Sequence, residues 1–413
     1  MQMMAGMVQI RGLALPLATY RSRRAKAAKL IAKANGDAPI PLLLVGCDEH
    51  HLRSVRQDPW FDYYSGCAEP EAALLIDPTA GPGQPRDTLF LETGDPARVI
   101  WDGPRMGPDG KARAAHGVHA VAPRSQLEAK VIEAAKRAKG RLAMCTRERE
   151  PGFQASAFAA WKGWLRGVTL INAETALVHQ RMYKDADEIA LHRQAIAITA
   201  DGLRQVLPRI PHLKSEAEVA SELVMHYRKA AYGPLAFPPI VGSALHGATL
   251  HYPHNDRPLV AKAPLLIDSG ATAGGYCADV TRTVPQHGKF DHKRFREVYE
   301  LVLRCNTLGR ENARPGITRT ELNDIAWKPI IDAGFTRHHG LSHHIGLDVH
   351  DPADYEIPYA AGMIISNEPG VYLPDEGFGI RIEDDLLITE DGCEDMTAGI
   401  PKTVAALEAA MKA

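Results

Sequence analysis

The stretch Leu265–Thr283, LLIDSGATAGGYCADVTRT, decides how the second half of this chain is read. Two short apolar segments flank a Gly-rich middle, the pattern of a tight hairpin. Asp268 and Asp279 are separated by an odd number of residues. A two-residue turn at Ala273–Gly274 therefore sets them directly opposite each other across an antiparallel pair. Directly opposed Cβ atoms lie ~4.5–5.5 Å apart, where like charges repel unless something positive sits between them. One divalent cation, or two, would remove that penalty. The competing reading is a different register with ordinary turn carboxylates.

Three further clusters lie downstream. His339–Asp351 reads HGLSHHIGLDVHD, with histidines at His339, His343, His344 and His350, while Gly340 and Gly346 permit close backbone approach. Ser366–Tyr372, SNEPGVY, ends an apolar run at Glu368, and Pro369 and Gly370 turn the chain just after it. Gly379–Gly392, GIRIEDDLLITEDG, puts Arg381 and Glu383 on one strand face and Ile380 and Ile382 on the other. Taken singly, that last pair reads as a surface salt bridge. His50, His51, His246, His254 and His338 read as structural or exposed. Taken in order, Asp268, Asp279, His343, Glu368 and Glu383 are hard, oxygen-rich donors suited to a two-metal hydrolytic site rather than thiolate-bound zinc. Two metals ~3.5–4 Å apart, sharing carboxylates, activate water near neutral pH.

Around these clusters the periodicity predicts two domains, as 413 residues suggest. Residues 1–177 read as an α/β domain: a helix at Tyr20–Ala34, strands at Pro41–Val45, Ala72–Asp77 and Thr88–Glu92, and a helix at Gln126–Lys139 ended by Gly140. Residues 178–413 read as α+β. A capping box at Asp185 and Glu188 opens a helix to about Leu207, broken by Pro208 and Pro211. Ser215 and Glu218 open a second helix, stopped by Gly233, and helices at Asp291–Arg314 and Arg319–Ala333 precede strand-rich Met363–Leu373 and Gly379–Thr389.

Composition narrows the function. With 48 Lys plus Arg against 50 Asp plus Glu, the net charge is −2, which disfavours nucleic acid as a partner. No apolar run reaches the ~20 residues that span a bilayer. Gly12–Ala18 is interrupted by Pro16 and has little basic lead-in, so it is not read as a signal peptide. Six scattered cysteines without a C-x-x-C suggest reduced thiols and a cytoplasmic protein.

The four motifs together resemble the pita-bread metallopeptidases, the group containing methionine aminopeptidase, aminopeptidase P and prolidase. The resemblance covers roughly residues 180–413. Arg56–Asp77, RQDPWFDYYSGCAEPEAALLID, and Ile100–Gly107, IWDGPRMG, resemble the N-terminal domain of the proline-specific branch. The implied fold is an α/β N-terminal domain followed by an α+β pita-bread catalytic domain. The resemblance implies two divalent ions, manganese by expectation, with cobalt or zinc also compatible. Asp279 and Glu383 would bridge them, Asp268 would hold one, and His343 and Glu368 the other. In H-G-x-x-H the family's ligand is the second histidine, His343 rather than His344. His251 and His350 match histidines near the scissile bond, His339 one lining the pocket, and Arg381 an arginine near metals and substrate.

The implied activity is hydrolysis of the Xaa-Pro bond of proline-containing peptides, releasing the N-terminal residue. Xaa-Pro dipeptide cleavage, as in prolidase, is the alternative, and a metal-free peptide-binding module a more distant one. Glu368 is expected to shuttle a proton as well as ligate. Between His350 and Glu368 there is no Arg or Lys, where relatives often carry a substrate-binding arginine. That clamp is expected to be missing or supplied by Arg381 or the N-terminal domain. A homo-oligomer, dimer or tetramer, is also implied.

Overall fold

A computed structural model describes residues 14–47, 57–94, 97, 99–145, 163–231 and 235–412. The expected features at His50, His51, Arg56 and Gly233 lie outside the described residues. The chain divides into two compact units, Met1–Gln180 and Arg181–Ala413.

The first unit is built on one mixed sheet. Helix α1 (Leu17–Ala34) leads into β1 (Leu42–Val45). Helix α2 (Pro59–Ser65) starts where Asp58 accepts from the Phe61 N–H and Pro59 presets the first turn. There follow β2 (Ala73–Ile76), β3 (Asp87–Leu91), β4 (Ala120–Pro123), helix α3 (Leu127–Arg137), β5 (Arg141–Met144) and β6 (Thr169–Asn172). The sheet order is β4-β3-β2-β1-β5-β6. β1, β2 and β3 pair antiparallel, whereas β5 runs parallel to β1 and β6. Apolar alternation supplies the core: Leu43, Val45, Phe90 and Leu142 meet Leu127, Val131 and Ala134 of α3. Arg24 of α1 is buried and reaches Asp87 at 2.9 Å.

In the second unit, helix α4 (Ala186–Val206) begins with the expected capping box, and the prolines convert its continuation into a 3-10 turn, Leu207–His212. Helix α5 (Glu216–Ala231) packs against α4. Strands β7 (Ile240–Ser243), β8 (Pro264–Ser269) and β11 (Val280–Pro285) form one sheet, with β8 central. Its hairpin tip is the short pair β9 (Thr272–Ala273) and β10 (Tyr276–Cys277). After helices α6 (Lys293–Asn312) and α7 (Arg319–Asp332) come β12 (Ile364–Asn367), β13 (Gly370–Leu373), β14 (Phe378–Arg381), β15 (Asp384–Ile388) and β16 (Cys393–Asp395).

The hairpin corrects one expectation. Asp268 lies opposite Thr281, not Asp279, and the ladder continues to Ala273 opposite Tyr276. The turn is therefore Gly274–Gly275, one residue later than expected. Both glycines have positive φ, +54° and +91°. Such a turn demands that conformation at both central residues, and Ala273 would resist it. Moving the turn by one residue moves the pairing by two. The two aspartates stay on the same face, but as diagonal neighbours.

A second refinement concerns the strand expected over 379–389. It breaks at Ile382–Glu383, so Arg381 ends β14 and Glu383 precedes β15. The Glu383 N–H donates to the Thr281 carbonyl at 3.1 Å, fastening that break to β11.

Candidate active site

Three pieces of backbone converge on the carboxylates. The β8–β11 hairpin carries Asp268 and Asp279. The segment 341–345 runs antiparallel to β12, with Ser366 N–H donating to His343 O at 2.9 Å and Glu368 N–H to Leu341 O at 2.9 Å. That register sets His343 opposite Ser366 and diagonal to Glu368. The strand break brings in Glu383.

The imidazole of His343 is the meeting point. Its Nε2 lies 3.4 Å from Asp279 Oδ2, 3.5 Å from Glu368 Oε1 and 3.9 Å from Glu383 Oε1. Its Nδ1 lies 3.1 Å from the His344 carbonyl, an acceptor only, so Nδ1 carries the proton and Nε2 a lone pair. Ligand atoms of Asp279, His343 and Glu383 all fall within 4.8 Å of one another. His344 faces elsewhere, toward the rings of Tyr355 and Tyr359.

Asp268 is held differently. Arg381 Nη2 donates to its Oδ2 at 2.6 Å, while Nη1 donates to Tyr372 Oη at 3.0 Å and Nε to Thr281 Oγ1 at 3.1 Å. The expected surface salt bridge between Arg381 and Glu383 is thus a buried Arg381–Asp268 pair, with Arg381 only 2% exposed. Its guanidinium is engaged on all three nitrogens. Thr281 in turn donates to Glu383 Oε2 at 2.7 Å.

Electrostatics set the donor chemistry. Burial first, then Glu383 and Asp268, push the Asp279 carboxyl well above its usual range. Burial followed by Glu368 and Asp268 does the same to Glu383. Burial raises Glu368 to about 8, against the pull of Arg381. His343, buried and beside His350, falls to about 3 and is neutral. Four carboxylates thus crowd around one guanidinium and a neutral imidazole. Oδ1 of Asp268 and Oδ1 of Asp279 are buried with no hydrogen-bond partner among the described residues. Orphaned carboxylate oxygens beside a neutral imidazole lone pair fit a divalent cation; they do not fit an apolar or anionic ligand.

The remaining expected residues surround this centre. His350 stacks on His343, with ring centroids 3.9 Å apart, and His251 meets His350 edge-on at 6.4 Å. His339 packs edge-on against Trp327, its Nδ1 3.8 Å from Glu368 Oε2 and its Nε2 3.0 Å from Tyr372 Oη. A cavity of about 340 Å³ opens beside the carboxylates, lined by Asp268, Asp279, His251 and His350 and walled by Phe237, Pro239, Ile240 and Val349. His246 instead pairs with Glu216 at 3.0 Å and stacks on Tyr252, and His254 is exposed.

Sequence reasoning missed Thr281, Tyr372 and Asp385. Asp385 is buried and accepts from the Asp279 N–H at 3.2 Å. Thr281 had a usable signal: two residues after Asp279, it shares its strand face.

A two-unit chain with such an oxygen-rich centre belongs to the class of metal-dependent hydrolases, and comparison with known proteins agrees. The sequence model for metallopeptidase family M24 matches residues 190–390, and that for the aminopeptidase P N-terminal domain matches residues 46–143. The Xaa-Pro aminopeptidase of Haemophilus influenzae is 30% identical over 391 residues, covering 86% of this chain and 87% of that protein. Among solved structures, Escherichia coli aminopeptidase P with the inhibitor Pro-Leu superposes with a TM-score of 0.84 at 25% identity, covering 96% of this chain and 98% of that one. The zinc-substituted E. coli enzyme in complex with product gives 0.82 at 26% identity, with the same coverage. The chain therefore belongs to the Xaa-Pro aminopeptidase family of M24 metallopeptidases, with its two-domain pita-bread fold.

Proposed function

We propose that this chain is a Xaa-Pro aminopeptidase, a metallo-exopeptidase that releases the N-terminal residue from peptides with proline second. The observation that carries the reading is the convergence of Asp279, Glu368 and Glu383 on the free Nε2 of His343, beside a cavity of about 340 Å³. Two divalent ions, manganese by preference, are the proposed cofactors, held by Asp268, Asp279, His343, Glu368 and Glu383. When bound, they supply a water-derived nucleophile at neutral pH and positive charge for the developing oxyanion.

The chain's own groups do the rest. Glu368, whose carboxyl holds its proton up to about pH 8 without metal, sits where it can take a proton and pass it to the leaving proline nitrogen. The leaving nitrogen needs that proton to depart as an amine, and proline's, which carries no hydrogen in the peptide bond, offers no N–H to read. His251 and His350 border the cavity and are assigned to the substrate carbonyl as it becomes an oxyanion. His339, fixed by Tyr372 and Trp327, is assigned to the pocket wall. Arg381 is engaged with Asp268, Tyr372 and Thr281. Its proposed service to the substrate is to hold Asp268 in place rather than to clamp a carboxylate.

Dipeptide cleavage is the less favoured mode, since the named relatives are aminopeptidases. A cytoplasmic site of action is proposed as well. It is supported by six widely spaced cysteines with no C-x-x-C pair, the usage of a chain that keeps its thiols reduced. Assembly into a dimer or tetramer is carried over from the family. The test compares Xaa-Pro-Xaa with Xaa-Ala-Xaa before and after chelation. Metal-restored cleavage confined to the proline peptide is expected; equal cleavage of both would overturn the assignment.

A further inference from the structure

His251 borders the cavity together with Asp268 and Asp279 and meets His350 edge-on at 6.4 Å. Among the described residues no hydrogen bond holds its ring. It stands on the connection between β7 and β8, residues 244–263, which is largely exposed. The backbone around it therefore sets its place. From Thr249 to Ala263 the one buried residue is its neighbour Tyr252, which also lines the cavity. The Tyr252 hydroxyl donates to Glu216 Oε2 at 3.0 Å.

Glu216, the first residue of α5, is fully buried. The helix start does not need its carboxylate. Ser215 Oγ accepts from the Glu218 N–H at 3.2 Å, and Glu218 Oε2 accepts from the Lys214 N–H at 2.7 Å. The Glu216 carboxylate turns instead to the connection. Its Oε1 accepts from the Ser243 N–H at 2.8 Å and lies 3.0 Å from His246 Nδ1. Its Oε2 accepts from the Arg257 N–H at 3.1 Å as well as from Tyr252, and the Glu216 N–H returns a bond to the Arg257 carbonyl at 3.0 Å. His246 completes the clamp by stacking on Tyr252, with ring centroids 4.8 Å apart. A buried carboxylate is costly unless its oxygens are hydrogen-bonded, so these contacts form together. One side chain thus holds the connection on both sides of His251.

We propose that Glu216 is a positioning residue for the hydrolytic reaction: by holding Tyr252 and Arg257 it keeps His251 at the cavity, where the substrate carbonyl becomes an oxyanion. The inference rests on the Xaa-Pro aminopeptidase reading and on its assignment of His251. A donor held in advance acts on charge that develops in the transition state, so its displacement appears in kcat rather than KM.

The experiment uses the full chain with saturating Mn²⁺ and one Xaa-Pro-Xaa tripeptide. Glu216→Gln and Tyr252→Phe are each made alone and combined with His251→Ala. Whichever way the amide of Glu216→Gln turns, its NH₂ opposes one backbone donor, the N–H of Ser243 or of Arg257. Its kcat is expected to fall about 10–100-fold, the effect of a misplacement of about 1 Å, with KM and Mn²⁺ affinity nearly unchanged. In the His251→Ala background the same substitution should cost nothing further. Equal losses in both backgrounds, or a kcat that does not fall, would mean that Glu216 serves the fold alone and would overturn the proposal. Should Glu216→Gln not fold, Tyr252→Phe decides: a kcat loss that vanishes without His251 supports the proposal, and one that persists overturns it. Full kcat in His251→Ala alone sinks this proposal and leaves the aminopeptidase reading standing. No cleavage by the unaltered chain sinks both.

Discussion

At the junction of β11 and β14 the Thr281 hydroxyl donates to Glu383 at 2.7 Å and accepts from Arg381 at 3.1 Å. One uncharged side chain thereby orients a proposed bridging carboxylate and the arginine paired with Asp268. Replacing it by the near-isosteric valine leaves Glu383 and Arg381 each short of a buried partner. Thr281→Val is expected to weaken metal affinity about 10–100-fold, the usual effect of removing a group that orients a ligand. Titration with Mn²⁺ followed by calorimetry checks this, and unchanged affinity would remove Thr281 from the site. Glu368 carries the larger burden. Glu368→Gln keeps the shape and loses proton transfer, so kcat should fall by at least about 10³-fold even at saturating metal. A variant with near-normal turnover would transfer the shuttle to another group.

Among the elements, the Gly274–Gly275 turn fixes the register that sets Asp268 and Asp279 on one face. Gly275, at φ +91°, accepts a side chain poorly. Gly275→Ala should cost about 1–2 kcal/mol, read as a lower denaturation midpoint; no loss would mean the turn lies elsewhere. The strand break before β15 rests on a second device. Arg282, fully buried, donates to the Glu383 carbonyl at 2.6 Å, to Asp384 at 2.8 Å and to the Pro401 carbonyl at 2.9 Å. Asp384→Asn leaves that guanidinium uncompensated and should destabilise the unit by about 3–5 kcal/mol, measurable by urea unfolding.

Capping and turn chemistry made the helices legible from sequence. Asp185 and Glu188 marked the start of α4, and Pro208 marked its end. The clusters marked the candidate residues because their types are unusual together. Pairing was legible but misread: both central residues of such a turn need positive φ, so Gly274–Gly275 was the better choice than Ala273–Gly274 from residue type alone.

On the scale of the whole molecule, the crowded carboxylates couple metal, protons and stability. Without metal, Glu368 titrates near 8 rather than at the ordinary ~4.3, and Asp279 and Glu383 are raised in the same direction. A carboxyl with a raised folded-state pKa stabilises fully below its unfolded pKa, and that contribution is lost as pH rises through the folded one. The metal-free chain should therefore lose stability between about pH 4 and pH 8, and saturating Mn²⁺ should restore it. Metal binding must also expel those protons, so affinity should rise with pH across the same window. Calorimetry in two buffers of different ionisation enthalpy at pH 7 should register net proton release; none would mean that the carboxylates are already ionised.

The most direct test of the central claim pairs a Xaa-Pro-Xaa tripeptide with the corresponding Xaa-Pro dipeptide, each assayed with and without added Mn²⁺. The account predicts metal-dependent release of the first residue from the tripeptide, with little cleavage of the dipeptide. Faster cleavage of the dipeptide, or cleavage indifferent to metal, would contradict it.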